Sequence, residues 1–247
     1  INIVLNEFSA VHGFANLGDK VLPSAFMPPL YAFFIFFFKK ISFDLVNIVD
    51  LIIIIQILIG VFTIYFFFKI SKYFFSAHFS LFLTSIFSIF PLNVYAVTQI
   101  SSVTLQIFLF VLFLFYLIKF IEKKELKYII LFSIISGLSI LLRGEFVIFY
   151  FLTLVYFFLI YSKNFKFFLI SLFITLITIS PYLKRNYDNF NSLVITKSFG
   201  YNLLKGNNYD LKVEGSTEFI IENFNQKDLK IRTKEDFEIQ LDNLYRK

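Results

Sequence analysis

The chain is a succession of long apolar blocks separated by short polar breaks, most of which carry lysine. The blocks run from Val46 to Phe68, Phe74 to about Tyr95, Ile100 to Phe120, Tyr128 to Leu142, Phe146 to Ser162 and Phe167 to Leu183. Their apolar residues are continuous rather than alternating, which argues for helices and against the strands of a barrel. Lipid leaves no other way to satisfy backbone polar groups. The pattern therefore predicts an all-α polytopic membrane protein with about six transmembrane helices. Ahead of them, Pro28-Pro29-Leu30-Tyr31 opens a run that ends at Phe38 before Lys39-Lys40. About ten apolar residues fall short of ~30 Å of hydrocarbon, and proline favours a first helical turn, so this is read as a short juxtamembrane helix. Beyond Leu183 no run is long enough to span. Thr233, three residues before Asp236, followed by a stripe of Phe237, Leu241 and Leu244, predicts a short amphipathic helix there. Three regions follow: 1–45, a loop and juxtamembrane helix; 46–183, the bundle; and 184–247, a loop region.

Charge adds an orientation. The breaks with Lys69 and Lys72, with Lys119, Lys123, Lys124 and Lys127, and with Lys163 and Lys166 fall on one side of the expected bundle. The opposite breaks, near residues 91–99 and at Arg143–Glu145, contain a single arginine. Positive-inside bias puts the lysine breaks in the cytoplasm. The Pro-Pro segment, Arg143-Gly144-Glu145 and everything after Pro181 then belong to the outer face, a juxtamembrane helix and an outer-face C-terminal segment flanking the bundle.

Composition narrows the chemistry. Of 247 residues, 58% are hydrophobic and only 16% charged, more apolar side chain than a soluble domain of this length can hide. Cysteine is absent, so there is no disulfide framework, thiolate nucleophile or thiolate metal site. A net charge of +6 would suggest nucleic acid in a soluble protein. Here the lysines at membrane boundaries account for it, and no nucleic-acid partner is expected. His12 and His78 are isolated, and no nucleophile elbow, phosphate loop, zinc motif or dinucleotide fingerprint is present. No metal or cofactor is implied. The 39 Phe without a single Trp read as a coding bias rather than as 39 functional rings.

Three stretches carry polarity beyond what insertion needs. Ser180 to Asn208 combines Pro181, expected to stop a helix, with Lys184, Arg185 and Asn186, then Gly200-Tyr201-Asn202 and Gly206-Asn207-Asn208. Arg143-Gly144-Glu145 marks a sharp hairpin, where the arginine either pairs with its neighbour or faces a cavity and meets a phosphate. Gln99, Ser101, Ser102, Thr104 and Gln106 give one span a polar start, read as glue between helices or as a cavity wall.

Taken in order, three segments resemble the GT-C-type integral membrane glycosyltransferases, in the branch of bacterial relatives of dolichyl-phosphate-mannose protein mannosyltransferase and lipid A aminoarabinose transferase. They are SAFMPPLYAFFIFF, GLSILLRGEFVIF and, most specifically, SPYLKRNYDNFNSLVITKSFGYNLLKGNN. The resemblance implies transfer of a sugar from a polyprenyl-phosphate donor to a lipid, glycan or protein acceptor at the outer face of a bacterial inner membrane. It implies substrate-binding roles for Pro28, Pro29, Tyr31, Arg143, Glu145, Lys184, Arg185, Asn186, Tyr201, Asn202, Gly206, Asn207 and Asn208. Cations would stabilise the phosphate leaving group, and a carboxylate would take the acceptor's proton.

The match also departs from the family. Its catalytic acid lies in the first outer loop, well before the Pro-Pro, but neither Glu7 nor Asp19 has the expected surroundings. The chain is therefore expected to be an N-terminal half without its first span, lacking the base. The aminoarabinose branch carries an acid-lysine pair before its proline, where this chain has Phe26-Met27, which argues against that substrate and against a metal there. Two further readings remain: half of a transporter or flippase, with Arg143 and Glu145 lining a path, or a structural subunit whose outer loop binds a partner.

Overall fold

The structure, a computed structural model, describes residues 25, 27–42, 47–160 and 165–200. Among these the chain is helical, without strands. The helices are α1 (Leu30–Ser42), α2 (Ile48–Phe74), α3 (Ala77–Ile89), α4 (Pro91–Thr98), α5 (Val103–Lys123), α6 (Leu126–Leu142), α7 (Phe146–Ile160) and α8 (Phe165–Phe190). The chain divides into two compact units, one of Pro29–Pro181 and one that joins the residues before it to those from Tyr182 onward.

Among the described residues three helices, α2, α5 and α8, are long and apolar enough to cross a membrane, and α3 with α4 makes a fourth crossing if counted as one bent span. The fourth and fifth apolar blocks form α6 and α7, with 17 and 15 residues. At 1.5 Å per residue these reach about 25 and 22 Å, short of a full hydrocarbon layer.

Helix ends differ from the expected ones for identifiable reasons. α2 starts on Asn47, whose side chain accepts from the Val49 N–H at 3.0 Å, and continues past Lys69 and Lys72 to Phe74. Lysine is a good helix former; its charge marks where lipid ends, not where the helix ends. Both ammoniums lie over rings one turn back, Lys69 at 5.3 Å from Tyr65 and Lys72 at 5.8 Å from Phe68. The block expected to run unbroken to Tyr95 instead bends by 50° between α3 and α4. Pro91 is the first residue of α4, and it forces Phe90 into an extended conformation. Asn93 Nδ2 donates to the Phe87 carbonyl at 3.1 Å, which Pro91 cannot reach and the Phe90 N–H reaches at 3.4 Å.

Pro181 also departs from expectation, because it lies inside α8 rather than ending it. Proline removes the N–H that would reach the carbonyl four residues back, that of Ile177. Ser180 Oγ donates to that carbonyl at 2.9 Å. The helix continues because its neighbour replaces the missing donor.

Within the larger unit, α5 packs between α2 and α6, α1 lies against α2 and α6, and α7 follows α6. Polarity is inverted relative to a soluble bundle: Leu159 and Phe173 are exposed, while Ser133, Ser136 and Ser171 are fully buried. Ser133 Oγ bonds Ser171 Oγ at 3.0 Å, Thr175 Oγ1 donates to the Ser133 carbonyl at 3.1 Å, and Tyr150 Oη lies 3.1 Å from Ser171 Oγ. Small hydroxyls thus join α6, α7 and α8, as polar glue does between helices in lipid. A Cβ on Gly137 would stand 2.6 Å from Thr178 Cβ, so α6 meets α8 there only because that residue has no side chain.

Candidate functional site

The Pro-Pro segment starts α1 as expected, with the Pro29 carbonyl accepting from the Phe33 N–H at 3.0 Å. In the first turn, Tyr31 Oη donates to Gln56 Oε1 at 3.1 Å. The Gln56 amide in turn donates to the carbonyls of Val97 at 3.1 Å and Gln99 at 2.7 Å. Gln56 is buried, so one side chain of α2 fixes both the juxtamembrane helix and the far end of the bent pair. Burial pushes the Tyr31 phenol far above its ordinary range, so it remains a neutral donor. Gln56 had drawn no attention in the sequence. Its signal was a lone amide in the middle of an apolar run, where a polar group without partners is costly.

Arg143 caps α6 in extended conformation, its N–H donating to the Ser139 carbonyl at 2.9 Å. The turn closes with Phe146, Val147 and Ile148 N–H groups reaching the carbonyls of Arg143, Gly144 and Glu145. The ion pairs among the described residues are Lys119–Glu122 and Lys127–Glu125. Arg143 and Glu145 therefore do not pair with each other. Arg143 is half-buried and Glu145 exposed, on a hairpin closed by backbone hydrogen bonds, and their charges are not committed to one another.

In the second unit the end of α8 builds a compact polar cluster. Arg185 Nη1 donates to Asn186 Oδ1 at 2.8 Å, and Asn186 Nδ2 donates to the Val194 carbonyl at 2.7 Å. Asn186 is fully buried and ties the helix to the segment that follows it. Asn189 Nδ2 donates to the Arg185 carbonyl at 2.7 Å, and Asn191, at φ 50°, ends the helix with its N–H on the Tyr187 carbonyl. Two cations face the Phe190 ring, Arg185 at 5.6 Å and Lys197 at 3.2 Å from its centroid. Lys197 is buried, and its N–H donates to the Ala25 carbonyl at 2.9 Å. Tyr182 Oη donates to the Met27 carbonyl at 3.4 Å, so residues beside the Pro-Pro pack with the end of α8.

Several expected residues thus fall into local arrangements. Pro29, Tyr31, Arg143 and Glu145 belong to the larger unit; Pro28, Lys184, Arg185 and Asn186 belong to the second, with Lys184 exposed. Lys197 joins them, a residue the sequence did not single out because a lysine in a polar loop carries no signal of burial. Tyr201, Asn202, Gly206, Asn207 and Asn208 lie outside the described residues, as do Glu7, Asp19 and the amphipathic stripe at Phe237. Among the described residues no group of three His, Asp or Glu is placed to hold a metal.

Apolar helices with a hydroxyl-rich interior define a multi-pass helical membrane protein. Residues 27–184 match the family described as dolichyl-phosphate-mannose-protein mannosyltransferase. The chain belongs to that family, whose members are membrane glycosyltransferases that use lipid-linked sugar donors. No curated protein and no solved structure matches the chain.

Proposed function

We propose that the protein moves a sugar from a polyprenyl-phosphate donor to an acceptor at the outer face of a bacterial inner membrane. The observation that carries this reading is Arg143, a half-buried guanidinium fixed at a helix hairpin with no counter-ion among the described residues. A donor of this kind keeps its isoprenoid chain in the bilayer and presents its phosphate at the boundary. Departure of the sugar leaves negative charge on that phosphate, and a preorganised cation lowers the barrier by stabilising it. The candidate cations for that phosphate are Arg143, Lys184 and Arg185. Asn186 acts through Arg185 by orienting its guanidinium. The sugar and sugar-acceptor contacts are assigned to Glu145, Pro28, Pro29 and Tyr31, together with Tyr201, Asn202, Gly206, Asn207 and Asn208.

The bent pair α3–α4 is the feature that speaks for a transporter, since broken helices build transport sites at mid-membrane. Such sites also need groups that bind an ion or polar substrate. The residues around this break, Phe90, Pro91, Leu92 and Asn93, include no ionisable side chain, which favours the transferase.

The test is transfer from labelled polyprenyl-phosphate sugars by the product of the full-length gene in proteoliposomes. Arg143→Ala and Arg185→Ala are each expected to lower kcat/KM by roughly tenfold to a hundredfold, the loss of one charge-assisted contact of about 1.5–3 kcal/mol. Full transfer by both variants would overturn the assignment of these cations to the phosphate.

A further inference from the structure

The bend between α3 and α4 opens a cavity of about 200 Å³ between α2, α3, α4 and α5. Its rim includes Ile57, Val61 and Val94, all exposed on the apolar exterior that lipid covers. The cavity therefore opens sideways toward the bilayer. No cation or carboxylate lines it. Most of its polar groups are committed elsewhere: Thr63 Oγ1 donates to the Ile59 carbonyl, Ser88 Oγ to the Ser85 carbonyl and Asn93 Nδ2 to the Phe87 carbonyl.

The exception is Thr104. It lines the cavity, and its buried Oγ1 makes no hydrogen bond. A threonine in a helix ordinarily bonds a carbonyl three or four residues back. Thr104 is the second residue of α5, so the residues at those positions, Ile100 and Ser101, precede the helix. Rotation about χ1 to another staggered well turns the hydroxyl from its buried position toward the cavity. A water would need two to four polar partners, more than this apolar wall provides.

We propose that this cavity holds an acyl chain of a bilayer glycerophospholipid, with Thr104 donating to the ester carbonyl at the head of that chain. Thr104 stands two residues after the Ser101-Ser102 pair at the end of a span, the depth at which ester carbonyls lie. An isoprenoid phosphate offers no oxygen short of its phosphate, and the cavity offers no cation to receive one.

The protein is reconstituted in phosphatidylglycerol vesicles, extracted in mild detergent and examined by native mass spectrometry for retained lipid. Chain-matched diester and diether phosphatidylglycerol then compete. Diester retention is expected to exceed diether roughly three- to tenfold, one hydrogen bond's worth. Thr104→Val should abolish that preference and Thr104→Ser preserve it. Val97→Phe, which fills the cavity, should lose the lipid altogether, with circular dichroism verifying that each variant folds. Equal retention of the two lipids, an unchanged preference in Thr104→Val, or displacement of the lipid by an equal concentration of polyprenyl phosphate would each overturn the proposal.

Discussion

A glutamine side chain surrounded by helices in a bilayer has no water to replace a lost partner. Gln56 uses its oxygen on Tyr31 and its nitrogen on two carbonyls at the end of the bent pair. Gln56→Leu strands the Tyr31 hydroxyl and the Val97 carbonyl, while the Gln99 carbonyl keeps the Ser101 N–H, so unfolding in detergent should shift by about 2–3 kcal/mol. Gln56→Glu keeps the acceptor for Tyr31 but either buries a charge or, protonated, donates to one carbonyl at most, so it too should destabilise; a variant as stable as the parent would remove the clamp from the account. Single residues were the least legible part of the sequence. Arg143 was visible as a charge at a hairpin, but only coordinates separate an arginine paired with Glu145 from one that is not. Gln56 and Lys197 were invisible because their significance lies in residues 25 to 172 positions away along the chain, such as Tyr31 and Ala25.

The elements themselves were largely legible, because lipid imposes continuous apolar runs on any helix that crosses it. Element ends were not. Lys69 and Lys72 were read as ends of a helix when they are only ends of its apolar part, and Pro181 was read as a stop. Sequence reveals that a donor is missing at a proline; it does not reveal that a neighbour will supply another. This explanation makes a sharp prediction. Ser180→Ala should cost about 1 kcal/mol on its own, the value of one neutral hydrogen bond. In a Pro181→Ala background, where the backbone N–H can again reach the Ile177 carbonyl, the same substitution should cost close to nothing. An equal cost in both backgrounds, read by thermal unfolding, would show that Ser180 contributes in some other way.

At the scale of the whole molecule, the expected class and family hold, while the sidedness rests on lysine counting. The absence of cysteine makes that sidedness simple to measure, since every introduced thiol reports alone. In intact cells, Glu145→Cys is expected to react with a membrane-impermeant maleimide and Lys72→Cys to react only after the membrane is opened. The opposite pattern would reverse the orientation and move the proposed chemistry to the cytoplasm.

The inverted polarity of the bundle also has a consequence for how the protein is made. Ser133, Ser136, Ser139, Thr153 and Thr178 each return their hydroxyl proton to a carbonyl of their own helix. A helix that satisfies its own hydroxyls carries no dangling donor while it waits for a neighbour. It can leave the translocon alone, rest in bare lipid during synthesis of the next segment, and dock afterwards. Ser133, which later joins α6 to α8 through Ser171, is thus a harmless passenger until assembly.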